Sequence, residues 1–163
     1  MKTGKTTLKL VKLSVIRSLF ENDTKARPSN KSSNQVIINL LDLIGNDNLE
    51  ITYCRASASS EMPSRGITAE CLAKMWLNNQ KSARWQANDK KADTYHNGEP
   101  IEIKCSTAKG YAHFNPKQKI NTLLFINQYG IYLTTGKNII LDKCGKHIQD
   151  IKMNSDVKTL VAW

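Results

Sequence analysis

Residues 91–105 read KADTYHNGEPIEIKC, and the dipeptide Asn97-Gly98 lies at their centre. Asn-Gly is the strongest short-range hairpin signal, because a type I′ turn requires a positive φ at both of its central residues. We therefore predict a two-residue turn that joins two antiparallel strands. The predicted cross-strand pairs are His96 with Glu99, Tyr95 with Pro100, Thr94 with Ile101, and Asp93 with Glu102.

This register also predicts which side chains share a face of the hairpin. Directly opposed residues lie on one face, with Cβ atoms about 4.5–5.5 Å apart, and side chains alternate between the two faces along each strand. Asp93, Glu102 and Lys104 are therefore expected to share one face. The opposite face carries the apolar residues Ile101, Ile103 and Cys105.

Two carboxylates that face each other need a compensating cation. Like charges placed directly opposite on a sheet repel, and one of the two carboxyl groups then tends to take up a proton. Mg²⁺ removes this conflict, because it binds one or two carboxylates together with water and phosphate oxygens. A neighbouring lysine can polarise or deprotonate an attacking water. The spacing Asp93…Glu102-x-Lys104 thus indicates metal-assisted hydrolysis of phosphodiesters.

The same residues carry a resemblance to a known family. Asp93…Glu102-Ile103-Lys104 resembles the PD-(D/E)xK nuclease signature, although Ala92 replaces the proline that often precedes the aspartate. The resemblance implies that Asp93 and Glu102 hold Mg²⁺ and that Lys104 serves the nucleophilic water. The alternative interpretation is an exposed hairpin on which Lys104 forms a surface ion pair with Asp93 or Glu102.

A polar and aromatic segment, residues 106–117, follows directly after Lys104 and reads STAKGYAHFNPK. Asn can pair bidentately with adenine in the major groove, and His or Lys can donate to guanine. The segment resembles the recognition segment of certain short type II restriction endonucleases, where a Lys-Gly-aromatic…His-x-Asn-Pro stretch follows the catalytic lysine. The alternative is a surface loop without base contacts. The DNA-binding candidates are Lys109, Tyr111, His113, Asn115 and Lys117, together with Arg65 upstream.

The charge balance of the chain favours a polyanionic partner. Its 163 residues contain 24 Lys and Arg against 14 Asp and Glu, a net charge of +10. Such an excess suits nucleic acid or an anionic membrane. No apolar run approaches the ~20 residues of a transmembrane helix, and lysines interrupt the N-terminal residues where a signal peptide would need an apolar core. We therefore expect double-stranded DNA as the partner and no membrane association.

The cysteines indicate a reducing compartment. They are widely spaced, without a C-x-x-C pair or paired histidines, so the pattern predicts neither a zinc site nor a disulfide framework. We expect four reduced thiols and a cytoplasmic protein. The four are Cys54, Cys71, Cys105 and Cys144.

Hydrophobic periodicity predicts helices in the first half of the chain. Residues 5–21 carry an apolar stripe at helical spacing, residues 22–34 are polar with a proline and are assigned to a loop, and residues 35–44 form a helix that ends at Gly45. Leu49, Ile51 and Tyr53 alternate with polar residues, which predicts a short strand.

A further helix is expected from a cap at Thr68 to Asn78 or Asn79, with Glu70 in its first turn. Nucleases of the resembling family often place an acid on a helix before the hairpin, so Glu70 is a candidate catalytic residue that supports the metal. The alternative for Glu70 is stabilisation by the helix dipole. Asp89 is a second acidic candidate for the same role, and spacing does not favour it.

The C-terminal half reads as strands joined by turns. The expected strands are residues 122–126, 131–134 and 138–141, with turns at 128–130 and 136–137, and the apolar tail either closes the core or covers a partner. An apolar strand followed by hairpins suits a mixed sheet. The predicted fold class is α/β: one domain over residues 1–163, with a mixed central sheet of about five strands flanked by helices, as in restriction endonucleases.

The sequence thus predicts a Mg²⁺-dependent deoxyribonuclease. The resemblance implies a type II restriction endonuclease that cuts a short palindrome as a homodimer, because a two-fold dimer matches the two-fold symmetry of a palindromic duplex. Two alternatives remain. One is a structure-specific nuclease such as a Holliday-junction resolvase, with the same active site and no base readout, and the other is a non-catalytic DNA-binding protein.

Overall fold

The computed structural model describes residues 7–55, 63–86, 92–106, 112–117 and 119–163. Contacts between residues divide the chain into two compact units, Met1–Lys25 with Ile37–Lys91 and Ala26–Val36 with Ala92–Trp163. The prediction of a single domain stays a prediction. The elements in the described ranges are β1 (Thr7–Lys12), α1 (Leu13–Glu21), α2 (Pro28–Ile44), β2 (Glu50–Arg55), α3 (Arg65–Asn78), β3 (Ser82–Gln86), β4 (Thr94–His96), β5 (Glu99–Cys105), β6 (Ala112–His113), β7 (Thr122–Asn127), β8 (Gly130–Thr135), a 3-10 turn (Gly136–Asn138), β9 (Ile139–Leu141), β10 (His147–Ile151) and β11 (Lys158–Ala162).

The first unit contains a three-stranded sheet in the order β1-β2-β3. Strand β1 is antiparallel to β2, and β2 is parallel to β3, so the connection between these two parallel strands is a crossover that contains α3. The hydroxyl groups of Tyr53 on β2 and Thr68 on α3 form a hydrogen bond of 2.9 Å. The predicted strand around Ile51 is confirmed as β2.

The predicted helix over residues 5–21 is wrong in its first part. Residues Thr7–Lys12 form β1, which pairs with β2, and the helix begins only at Leu13. The apolar residues of 7–12 fit both periods, and pairing with β2 decides between them. Leu8, expected to belong to the apolar stripe of that helix, is 61% exposed, and Leu10 on the same strand is 60% exposed.

The start of the next helix is also corrected. Helix α2 begins at Pro28, inside the predicted loop of residues 22–34, and not at residue 35. Proline fits the first position of a helix because its missing N–H group would have no intrahelical partner there. The predicted end is confirmed, since Gly45 has φ +69 and its N–H donates to the Leu41 carbonyl oxygen at 3.0 Å.

Helix α3 begins four residues earlier than predicted. Its first residue is Arg65, with Ser64 at the N-cap position, so Thr68 lies within the helix and is not its cap. The Thr68 hydroxyl donates to the Ser64 carbonyl oxygen at 2.7 Å, and its backbone N–H donates to the same oxygen at 3.0 Å. Glu70 is therefore beyond the first turn, and the predicted helix-dipole position for it is wrong. The predicted end at Asn78 is confirmed.

The second unit contains a five-stranded mixed sheet in the order β11-β8-β7-β5-β4. Strands β5 and β7 are parallel, and the other neighbouring pairs are antiparallel. The predicted strands of the C-terminal half are confirmed within one or two residues as β7, β8 and β9. The fold class is thus confirmed in its coarse form, a mixed α/β protein with a five-stranded mixed sheet and, in the described ranges, three α-helices.

A small sheet in the order β6-β10-β9 belongs to the same unit. Its residues Ile148 and Ile151 form a buried cluster with Leu123, Phe125 and Tyr132 of the large sheet. Val157 of the C-terminal tail packs against this cluster, and β11 pairs with β8. The tail therefore closes the core of this unit, which was one of its two expected roles. No helix in the described part of the chain has both the length and the apolar character that crossing a membrane requires.

We predict that Gly130→Ala destabilises the second unit. Gly130 is buried where β8 pairs with β11, and a Cβ atom here would overlap the backbone carbonyl oxygen of Val161. Overpacking of this kind costs about 1–3 kcal/mol. Urea-induced unfolding should show a lower midpoint.

Gly66→Ala is the matched control, because a Cβ atom at Gly66 on α3 has no atom within 4 Å. An alanine in a helix is favoured over glycine by up to about 1 kcal/mol, so this variant should be as stable as the wild type or more stable. Equal stability of Gly130→Ala and the wild type would contradict the close approach of β8 and β11.

Candidate active site

The hairpin at Asn97-Gly98 has the predicted geometry. Both residues have positive φ, 51° for Asn97 and 79° for Gly98, as a type I′ turn requires. Strands β4 and β5 are antiparallel, with the predicted partners Thr94–Ile101, Tyr95–Pro100 and His96–Glu99. The register on which the shared face depends is therefore confirmed.

Asp93 lies immediately before β4 and is held beside β5 by a hydrogen bond. Its Oδ2 atom accepts from the backbone N–H of Ile103 at 2.8 Å. This N–H belongs to the peptide that follows Glu102, so the Asp93 carboxylate lies next to the strand position of Glu102. A carboxylate has about four lone-pair sites, so one backbone donor leaves capacity for a cation.

Glu102 and Lys104 form an ion pair that is largely shielded from water. The Lys104 Nζ atom lies 3.3 Å from Glu102 Oε1, and the exposed fractions of the two side chains are 18% and 13%. The alternative of a surface ion pair is thus correct about the pairing of Glu102 with Lys104. It is wrong about exposure, because these side chains are mostly covered.

The side chains of Glu102 and Lys104 are shielded because β5 lies inside the sheet. In the parallel pairing with β7, Glu102 is the partner of Leu123 and Lys104 is the partner of Phe125. Partner residues of neighbouring strands lie on the same face, and both apolar partners are fully buried. The acid and the lysine therefore lie at the border of an apolar cluster, where electrostatic interactions are stronger than in bulk water.

The opposite face of β5 is part of the core, as predicted. Ile101 and Ile103 are buried, and the β7 residues Leu124 and Ile126 on that face are buried too. Burial raises the pKa of the Cys105 thiol to about 12, so this thiol stays protonated and is not a nucleophile. Cys71, Cys105 and Cys144 are free cysteines, and the Cys54 side chain lies outside the described atoms.

The donor set fits a hard divalent cation. Asp93 and Glu102 contribute two carboxylates against one ammonium group, so the site carries a formal excess of one negative charge in a partly desolvated place. The described ranges contain no group of three or more His, Cys, Asp and Glu side chains suited to a metal. An ion held by Asp93 and Glu102 would complete its ligands with main-chain, water or phosphate oxygens, which is the usual composition of a Mg²⁺ site.

The segment after Lys104 is described only in part. Lys109 and Tyr111 lie outside the described residues. The backbone of His113 lies in β6, whereas Asn115 follows the strand and is exposed. The Asn115 Oδ1 atom accepts from the backbone N–H of Lys117 at 3.0 Å, which forms a local turn. This turn begins at Asn115, so the shared face that an extended segment would give His113 and Asn115 stays a prediction.

Strand β10 and the turn before it are hydrogen-bonded to this segment, and β10 is not among the strands predicted from the sequence. The Ser106 hydroxyl donates to the Gln149 carbonyl oxygen at 3.4 Å, and the Phe114 N–H donates to the Lys146 carbonyl oxygen at 2.8 Å. Residues 142–147 read DKCGKH, and Asp and Gly between two short apolar stretches are a turn signal that predicts a hairpin here. The pairing of that hairpin with β6 has no local signal.

Two further candidates, Glu70 and Arg65, lie on α3 in the first unit. Glu70 is half-buried, and its support of a metal stays a prediction. Arg65 forms an ion pair with Asp23, with 2.6 Å between Nη2 and Oδ2. A phosphate contact by Arg65 would have to share or replace this pair. Asp89 lies outside the described residues.

No family model, no curated protein and no solved structure matches this chain.

We predict that Mg²⁺ stabilises the folded protein through Asp93 and Glu102. A ligand that binds only the folded state stabilises it by about 2.7 kcal/mol at one hundred times its dissociation constant. Thermal unfolding in a Mg²⁺ titration at constant ionic strength should show a rising Tm. Asp93→Asn and Glu102→Gln, which keep the size of each side chain, should abolish the rise.

The control for this titration is Asp156→Asn, which removes an exposed carboxylate before β11. Its Tm should rise with Mg²⁺ as in the wild type. An unchanged response in Asp93→Asn and Glu102→Gln would mean that the ion binds elsewhere.

Proposed function

We propose that this protein is a Mg²⁺-dependent nuclease that hydrolyses phosphodiester bonds of double-stranded DNA, of the PD-(D/E)xK kind. The grouping of Asp93, Glu102 and Lys104 along β5 supports the proposal: the Asp93 carboxylate accepts from the N–H that follows Glu102, and Glu102 lies 3.3 Å from Lys104. On an exposed surface, two carboxylates and an amine would need no functional explanation. At the border of an apolar cluster, two carboxylates and an amine are a costly arrangement that stability does not require.

Asp93 and Glu102 are the residues that would hold Mg²⁺. Bound Mg²⁺ supplies a Lewis acid that polarises the phosphoryl group and lowers the pKa of a coordinated water. The hydrogen bond from the Ile103 N–H orients the Asp93 carboxylate before any ion binds. Such orientation by the protein removes the need to reorganise ligands during the reaction.

Lys104 has two properties that suit work on an attacking water. Its ammonium group is 3.3 Å from a Glu102 oxygen, so the strand and the acid both hold it in place. It can donate a hydrogen bond that positions the water, and it can stabilise the negative charge that develops on the phosphate. The fully buried partners of Glu102 and Lys104 on β7 help to exclude bulk water from this edge.

Two features support DNA as the substrate: the net positive charge of the chain and its resemblance to type II restriction endonucleases. A chain with a net charge of +10 attracts phosphate backbones. The segment after Lys104 supports a sequence-specific enzyme of the type II restriction endonuclease kind, with the restriction-endonuclease-like fold around the five-stranded sheet. Cleavage of a palindrome would then require a homodimer.

One incubation separates the candidate functions. Long duplex DNA with Mg²⁺ should yield discrete bands if the enzyme is sequence-specific. Random degradation, or cleavage of branched DNA alone, would favour a structure-specific or non-specific nuclease. Intact DNA under conditions in which the protein binds it would favour the non-catalytic DNA-binding protein.

We expect that single changes in the grouping abolish cleavage and preserve folding. Lys104→Ala should lower the cleavage rate by about 10²–10⁴-fold, the usual contribution of a positioned proton-transfer or charge-stabilising group. Asp93→Asn and Glu102→Gln should be inactive, and EDTA should stop the wild-type reaction until Mg²⁺ or Mn²⁺ is added. Rates are measured on duplex DNA, and binding is measured separately in EDTA.

Asp156→Asn again serves as the control and should cleave at the wild-type rate. Near wild-type cleavage by Lys104→Ala would remove the lysine from the mechanism. Cleavage that persists in EDTA would exclude a metal ion from the mechanism.

We predict that His113 and Asn115 contribute to sequence discrimination and that Lys117 does not. Asn115→Asp keeps the oxygen that accepts from the Lys117 N–H and replaces the amide donors, so it tests base contact without opening the turn. A bidentate base contact contributes about 1–3 kcal/mol of discrimination. His113→Ala and Asn115→Asp should therefore reduce cleavage of the cognate site more than non-specific binding.

Lys117→Ala should weaken binding to all sequences about equally, as expected of a phosphate contact. The measurement compares cleavage rates and affinities on cognate and single-substituted duplexes. Equal losses on every sequence for all three variants would assign the whole segment to the DNA backbone and favour the structure-specific nuclease.

A further inference from the structure

A turn outside the candidate active site carries exposed positive charge. It connects β9 to β10 and consists of residues 142–147, which we call the basic turn. Lys143 and Lys146 on this turn are exposed, and Asp142 and His147 are half-buried. None of these residues belongs to the metal site or to the segment expected to read bases.

The basic turn continues into a strand that is hydrogen-bonded to the segment following the candidate catalytic lysine. Ser106, two residues after Lys104, donates to the Gln149 carbonyl oxygen of β10 at 3.4 Å. Further along, the Phe114 N–H donates to the Lys146 carbonyl oxygen at 2.8 Å. Ser106 thus contacts β10, and Phe114 contacts the basic turn that precedes it.

The strand pairing places the basic turn beside a predicted DNA contact. In the register of β6 with β10, His113 is the partner of His147 and Ala112 is the partner of Ile148. Lys117 lies three residues beyond Phe114, so the chain allows at most about 11 Å between their Cα atoms. Because the Phe114 N–H is hydrogen-bonded to Lys146, Lys117 and the basic turn can contact the same bound polyanion.

The single carboxylate of the basic turn is used internally. Asp142 Oδ1 accepts from the backbone N–H groups of Lys146 and His147 at 3.0 and 3.3 Å, and its Oδ2 atom lies 2.9 Å from His147 Nδ1. Desolvation opposes ionisation, but the hydrogen bonds from His147 and from these backbone groups outweigh it and hold the pKa of Asp142 below its usual value. The Asp142 carboxylate thus stabilises the turn, whereas the side chains of Lys143 and Lys146 are exposed to solvent.

The basic turn is also anchored to the core beneath the candidate site. Ile148 and Ile151 of β10 are buried against Leu123 and Phe125, the β7 partners of Glu102 and Lys104. A contact made by this turn is therefore held in a defined position relative to the residues proposed to cut DNA.

We propose that the basic turn binds the phosphate backbone of the DNA that the candidate active site cleaves, with Lys143 and Lys146 as the contacts. The inference rests on the proposed function for the identity of its partner. Lysine ammonium groups act as point charges toward phosphate and do not present the flat paired donors of a base-reading arginine. Contacts of this kind position the duplex and carry no sequence information.

The test is the salt dependence of duplex binding, measured in EDTA so that no cleavage occurs. Each phosphate contact contributes about 0.9 to the slope of log affinity against log salt for duplex DNA. Lys143→Gln and Lys146→Gln should each reduce the magnitude of this negative slope by about 0.9, and the double variant should reduce it by about 1.8. The reduction should be equal on unrelated sequences. The Lys143→Arg/Lys146→Arg variant keeps the charges and should retain the wild-type slope.

The matched control is Lys158→Gln, which removes the same charge from an exposed position on β11. Strand β11 forms the edge of the five-stranded sheet three strands away from β5, so its slope should equal that of the wild type. Thermal unfolding of every variant checks that the exposed substitutions leave the fold intact. If the double glutamine variant did not fold, the two single variants would carry the test.

The outcomes separate this inference from the nuclease proposal. A wild-type slope in the glutamine variants of an enzyme that cleaves DNA would overturn the role of the basic turn and leave the nuclease standing. A reduced slope in a protein that binds but never cleaves DNA would support the turn as a DNA contact and overturn the nuclease. A wild-type protein that neither binds nor cleaves duplex DNA would overturn both.

Discussion

The two-residue turn at Asn97-Gly98 is the constraint on which the candidate site depends. Positive φ at both residues joins β4 and β5 in one register, and a shift of a single residue would move the side chains of β5 to the opposite face. In the observed register, the residue before β4 is Asp93, and its carboxylate accepts from the Ile103 N–H. Short-range backbone geometry thus brings the Asp93 carboxylate to the backbone of a β5 residue ten positions away.

The parallel pairing of β5 with β7 places the Glu102–Lys104 ion pair beside apolar residues. Glu102 and Lys104 are partners of two fully buried residues, so the ion pair lies at the border of the apolar cluster and not on an open hairpin. Removal of charged groups from water costs free energy that an ion pair repays only in part. A divalent cation beside the two carboxylates would offset that cost, which links the packing of the second unit to the proposed chemistry.

Strand β10 connects the apolar cluster beneath the proposed active site to the segment proposed to recognise DNA. Its apolar residues Ile148 and Ile151 pack in the same cluster, its backbone accepts a hydrogen bond from Ser106, and the turn before it accepts one from Phe114. The proposed metal ligands on β5, the segment proposed to read bases and the basic turn therefore border one core. Such sharing suits an enzyme that must hold a duplex in register with the bond it cuts, because positioning errors of about 1 Å can cost a factor of about 10² in rate.

The sequence by itself determined the elements whose signals are local. Asn97-Gly98 requires a turn, the hairpin register together with side-chain alternation predicts one face for Asp93, Glu102 and Lys104, and Gly45 ends a helix through its positive φ. Tertiary structure decided what local signals leave open. Residues 7–12 became a strand because β2 pairs with them, and the ion pair became shielded because β7 lies beside it. The attachment of β6 to β10 joins residues more than thirty positions apart, and hydrogen bonds between backbones carry no local sequence signature.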